Sequence, residues 1–185
     1  MRWSELFRDL EGQFEAAAAE ELAGEVADRT RREFARIRLV DRLRPGVGRP
    51  VAVTLAGAGV LHGVLAETGA DWFLLEDDRG AEVLVRLAAV LGLQGLDPRV
   101  AAEPGSEGEF AARCGLGIAL RALARDRAQI ACLLVDGSVA DGTPDRVGAD
   151  HLWLASGPPG ERAPRAGTAS LRLVPFAALA AVRRR

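Results

Sequence analysis

The chain has no lysine, no asparagine and no tyrosine, and all 24 of its basic residues are arginine. GC-rich coding accounts for this bias. It favours Ala, Gly and Arg over the AT-rich codons of the missing residues, so the arginines need no selection for guanidinium chemistry. Cysteine is scarce too: Cys114 and Cys132 sit at no motif spacing, which leaves neither a disulfide framework nor a zinc site to expect. The two histidines, His62 and His151, have no Cys or His partner at ligand spacing, so no metal is expected. No apolar run approaches the roughly 18 residues of a membrane span. The opening MRWSELFRDLEGQ carries acids where a signal peptide has a basic end and an apolar stretch, and the chain is expected to be cytoplasmic. A formal net charge of −2 excludes a surface that is basic throughout.

Catalytic constellations are missing as well. GLGIALRAL, from Gly115 to Leu123, sets two glycines at a helix but lacks the preceding strand and the lysine of a P-loop. No Ser/His/Asp or Cys/His set can be formed, and the adjacent carboxylates Asp77 and Asp78 fall in a polar turn. The reading is of a non-enzyme without cofactor, metal or small-molecule substrate.

What the chain does contain is one segment twice. Shifted by 79 positions, Val51 to Leu75 lies on Ile130 to Leu154 without a gap. Ala52, Leu55, Val60, Gly63, Gly69, Ala70, Asp71 and Leu75 are then identical to their counterparts. The match resumes with Leu84 to Leu93 on Leu173 to Val182 at an offset of 89, and the extra residues fall in the loop-like SGPPGERAPRAGT, Ser156 to Thr168. A duplicated supersecondary unit must be read as the same fold both times.

Ahead of the first copy, helix is expected from Ser4 to about Leu43, with Trp3, Phe7, Leu10, Phe14, Ala17, Ala18, Leu22 and Val26 on one stripe. Beyond Val26 it turns arginine-rich, and Pro45-Gly46 stops it. Short alternating strands follow from Pro50 to Leu93, with hairpin turns at Gly57–Gly59 and at Asp136-Gly137 in the second copy. The second copy has its own leading helix, Phe110 to Arg127. The expected organisation is an N-terminal helix over 1–44, a first barrel over 45–96, a linker over 97–109, and a helix plus second barrel over 110–185.

A helix followed by five short strands with a glycine bend in the second resembles the Sm-like fold of Sm, Lsm and Hfq proteins. The residues that carry it are V-L-x-G-V-L, G-A-D-W-F-L-L and V-R-L-A-A-V in the first copy, and V-G-A-D-H-L-W-L and L-V-P-F-A-A-L in the second. SH3-like and PRC-type barrels share much of this pattern. The resemblance implies an α+β, mainly β chain of two tandem Sm-like or SH3-like five-stranded barrels, each preceded by a helix, with a long N-terminal helix. In RNA-binding members a base is stacked two residues after a conserved Asp, an Asn two further on reads it, and an Arg-Gly pair closes the pocket. The first copy keeps Asp71, Phe73 and Arg86 but has Leu75 and Leu87 in place of Asn and Gly. The second keeps only Asp150, with Leu152, Leu154 and Pro175 at the other positions.

Phe73 also reads as a core side chain, Asp71 and Asp150 as loop-capping acids, and both cysteines as small buried hydrophobes. The arginines from Arg29 to Arg44 offer clustered charge for phosphate, unless acids such as Asp77, Asp78, Glu103, Glu107 and Glu109 pair with them internally. The expected function is a non-enzymatic binding or scaffold module acting on a protein partner or by self-association. The alternative is RNA binding in post-transcriptional regulation through Arg29, Arg32, Arg36, Phe73 and Arg86.

Overall fold

The computed structural model describes residues 3–106, 108, 111, 113–156 and 170–185. It divides into two units, Met1–Ile37 and Arg38–Arg185. The first is built on one helix, α1 (Trp3–Phe34), whose described side chains are exposed.

The continuous helix expected over 1–44 does not form. α1 closes with tightened bonds, Arg36 N–H to Glu33 O at 3.1 Å and Ile37 N–H to Phe34 O at 3.2 Å. A separate short helix, α2 (Leu39–Leu43), opens the second unit. The physical reason is Asp41, which has no exposed surface. It accepts the Arg38 N–H at 2.9 Å and the guanidinium groups of Arg38 at 3.2 Å and Arg44 at 3.0 Å. An Arg38 N–H committed to Asp41 is withdrawn from the carbonyl four residues back that a continuous helix needs. Burial pushes the Asp41 carboxyl up, but the bonds from Arg38 and the charges of Arg38 and Arg44 hold it below the usual carboxylate value. Stabilisation from a lowered pKa is complete above the ordinary carboxylate range and fades as pH falls through the folded value.

Five strands follow, β1 (Pro50–Leu55), β2 (Gly59–Thr68), β3 (Trp72–Glu76), β4 (Glu82–Arg86) and β5 (Val90–Gln94). The second copy supplies α3 (Leu116–Arg125), β6 (Ile130–Leu134), β7 (Val139–Val147), β8 (His151–Ala155), β9 (Leu171–Pro175) and β10 (Leu179–Arg184). The helix expected from Phe110 is thus shorter than Phe110–Arg127; Phe110 itself and the loop residues 157–168 lie outside the described residues.

The two separate five-stranded barrels expected from the resemblance are replaced by a single ten-stranded sheet, in the order β5-β1-β2-β3-β4-β10-β6-β7-β8-β9. The fold remains mainly β. What merges the copies is a pairing that no local pattern announces: Val85, Leu84 and Val83 of β4 lie opposite Ala181, Val182 and Arg183 of β10, antiparallel.

Within the copies the repeat holds closely. β3 and β8 begin 79 positions apart, and β4 and β9, like β5 and β10, begin 89 apart. The register irregularity between Leu65 and Glu67 recurs between Pro144 and Arg146. The shared glycines have a common cause. A Cβ on Gly63 would stand 2.5 Å from Glu76 O, and one on Gly142 would stand 2.7 Å from Ala155 O. Both carbonyls close the third strand of their copy, and only glycine lets the second strand run so near.

Two apolar clusters form, one around Leu43, Val53, Leu65 and Phe73, the other around Leu116, Leu120, Ile130 and Leu152. Neither belongs wholly to one copy. Trp72 and Leu84 of the first copy pack in the second cluster, and Ala181 of the second copy packs in the first. Fully burying a side chain of leucine size contributes about 1.5–3 kcal/mol, so each copy draws stability from the other.

Overpacking of this kind costs about 1–3 kcal/mol, so Gly63→Ala and Gly142→Ala are each expected to lower stability by that amount in urea unfolding. An unchanged midpoint in either variant would mean that the close approach is not a constraint.

Candidate functional site

Of the five expected site residues, Arg29, Arg32 and Arg36 belong to the first unit and Phe73 and Arg86 to the second. On α1, Arg29 Nε bonds Glu33 at 3.1 Å and Arg32 Nε donates to Asp28 O at 3.3 Å. Arg36 lies past the end of the helix, in its closing turn. Arg31 pairs with Asp28. The acids that meet these arginines therefore sit on their own helix; Asp77 instead faces Arg183 at 3.5 Å, and Glu107 and Glu109 lie outside the described residues. Exposed pairs of this sort contribute only about 0.3–0.5 kcal/mol each, too little to fix the guanidinium groups in place.

Phe73 has no exposed surface and packs in the first apolar cluster, so its ring offers no face to a base. Arg86 reaches across to the other copy, where Nη1 donates to Ala177 O at 3.1 Å and Leu179 O at 3.4 Å. The base-binding arrangement implied by the resemblance is thus unassembled: its stacking ring is core, and its arginine holds the carbonyls that lead into β10.

No group of three or more metal-ligating side chains occurs among the described residues. Burial pushes both thiols up, that of Cys132 to about 12, which keeps them protonated and unreactive at neutral pH. A cleft bordered by Arg42, Gly46, Arg49 and Leu96 encloses about 20 Å³, room for roughly one water molecule.

The polar contacts that do converge lie at the junction of the two copies. Helix α3 has Gly115 at its N-cap, which supplies no side-chain cap. Asp71 of the first copy fills that role, its Oδ1 accepting the Leu116 N–H at 2.6 Å. A carboxylate is also well placed at a helix N-terminus electrostatically. Trp72 Nε1 and the Ala70 N–H both donate to Cys114 O, at 2.8 and 3.1 Å. Among the described residues the equivalent loop of the second copy caps no helix: Gly148 O accepts from Arg121 of α3 at 3.1 Å, and Asp150, 88 % exposed, bonds its neighbour His151 Nδ1 at 2.8 Å, which lowers its pKa. Asp71 and Asp150 are both loop acids, as expected; which of them caps a helix was not readable from the repeat, because identical residues have different neighbours.

Beyond the junction lie the ends of the sheet. Among the described residues β5 pairs with β1 alone and β9 with β8 alone, leaving one backbone edge open on each. Leu91, Leu171 and Leu173 on these strands are exposed. Sequence reasoning about a nucleotide pocket passed over these positions. The sequence shows that Leu173 aligns with Leu84, but only the structure shows that Leu84 is buried and Leu173 is not. No protein-family model matches the chain, and no curated protein matches it significantly.

Loss of an N-cap costs about 1 kcal/mol, whereas a surface substitution shifts stability by less than about 0.5 kcal/mol. Asp71→Ala is therefore expected to lower the unfolding free energy by the first amount and Asp150→Ala by less than the second, measured in urea. Equal effects would show that Asp71 does not hold the copies together.

Proposed function

We propose that the chain is a non-enzymatic, cytoplasmic interaction module that binds a protein partner through α1. The observation that carries this reading is the exposure of Phe14, Leu22 and Val26, each more than half accessible on α1. Residues 22 and 26 are one turn apart and residue 14 is a little over two turns before 22, so the three fall within about 120° around the helix, on an arc they share with Glu25 and Arg29. A lone helix cannot bury its own side chains, and most helical stability in proteins comes from packing an apolar face. A complementary apolar groove or a partner helix supplies that cover. No described helix is long and apolar enough to cross a membrane.

The test is capture of partners by the tagged chain in its own cells, with and without nuclease, beside the variant Phe14→Gln/Leu22→Gln. Gln keeps helix propensity close to that of Leu. Named proteins are expected to survive nuclease and to fall at least tenfold with the variant. Capture that vanishes with nuclease, and with Arg29, Arg32 and Arg36 replaced by Ala, would make RNA the ligand and overturn the proposal.

A further inference from the structure

We infer that the loop from Gly148 to His151 is a docking site for the start of a helix in another protein, one whose N-cap residue carries no side-chain acceptor. The inference is independent of the role given to α1. It rests on the internal repeat, because the counterpart loop of the first copy already holds such a helix start.

In the first copy, the loop from Gly69 to Trp72 grips the beginning of α3 by its backbone. The Ala70 N–H donates to Cys114 O at 3.1 Å, and Asp71 Oδ1 accepts the Leu116 N–H at 2.6 Å. A carbonyl and the N–H two residues on are thus read together, with the N-cap Gly115 between them. The first N–H groups of a helix have no partner inside it, and its N-terminus carries partial positive charge, so a carboxylate from outside satisfies both. These two bonds address backbone alone and suit any helix start that lacks an acid or hydroxyl of its own.

The second copy rebuilds this loop. Gly148, Ala149 and Asp150 are identical to Gly69, Ala70 and Asp71. The bonds that close the loop are repeated as well: Gly69 N–H to Trp72 O and Gly148 N–H to His151 O are both 2.8 Å, while Leu87 N–H to Asp71 O is 2.9 Å and Phe176 N–H to Asp150 O is 2.7 Å. Even the ring that follows is placed alike, since a Cβ on Gly69 would meet the Trp72 indole and one on Gly148 would meet the His151 imidazole. What differs is the occupant. Ala149 is exposed and its N–H has no backbone partner among the described residues, and the Asp150 carboxylate meets only His151 Nδ1. Trp72 Nε1 adds a third bond to Cys114 O in the first copy, at 2.8 Å. A neutral His151 that gives its Nδ1 hydrogen to Asp150 has no second one to offer, so the second loop makes two bonds where the first makes three.

The chain's own helices α2 and α3 do not need this loop. Asp71 already serves α3, and α2 has an acceptor of its own in Asp41, which takes the Arg38 N–H at 2.9 Å. A helix of another protein, entering through a glycine as α3 does, supplies the carbonyl and the N–H that Ala149 and Asp150 are set to receive.

The experiment uses the full chain, isotope-labelled, with its backbone amides read by NMR. The probe is a peptide of residues 113–125 carrying Cys114→Ala, which presents the start of α3 with its bare glycine cap. Titration into the millimolar range is expected to shift the Ala149 amide saturably. Asp150→Ala is expected to abolish that shift while the rest of the spectrum stays that of the folded chain, and Asp150→Asn, which keeps an acceptor oxygen, is expected to retain it. A second peptide with Gly115→Asp brings its own cap and is expected to bind about fivefold more weakly. No shift at Ala149, a shift that survives Asp150→Ala, or equal binding of the two peptides would each overturn the inference. So would an Ala149 shift that grows with the concentration of the chain alone, since that would put a second copy in the loop.

Discussion

The structure of residues 38–185 depends on one strand pairing, β4 with β10. Because alternate residues of a strand point to opposite faces, joining the two copies at this line sends side chains both ways. Leu84 goes into the second copy's core, and Ala181 goes into the first's. Units of this size bury too little surface to be comfortably stable alone. The joint supplies what each lacks, and Arg86 on Ala177 and Asp71 on α3 secure it with directed hydrogen bonds.

This arrangement removes the features that would suit a nucleotide pocket. A stacking ring must be accessible on one face, and Phe73 is enclosed. An arginine that reads a base must be unengaged, and Arg86 is spent on the joint. Exposed among the described residues are one backbone edge each of β5 and β9, Leu91, Leu171 and Leu173 on those strands, and Phe14, Leu22 and Val26 on α1.

Much of the second unit was legible because its physics is local. Alternation marked the strands, and Gly63 and Gly142 marked a bend whose cause is close approach to a carbonyl. Duplication then assured that both copies share one plan. The helix boundary was not legible: no Gly or Pro interrupts Ala35 to Arg38, and the break comes from a buried carboxylate that binds three residues back and three residues on. The merging of the copies was not legible either. It joins positions about 100 residues apart in the chain, and an edge strand bears no local mark of its partner. The candidate site suffered most, since identity at Asp71 and Asp150 says nothing about what lies opposite each of them.

If the joint governs the unit, the two copies open together. Native-state hydrogen exchange, read by mass spectrometry on peptides from β1 to β5 and from β6 to β10, measures this directly. The account predicts that the slowest amides of both copies share one opening free energy, and that Leu84→Ala lowers it equally in both. Two distinct opening free energies, with only one copy responding to Leu84→Ala, would show two independent domains that merely touch.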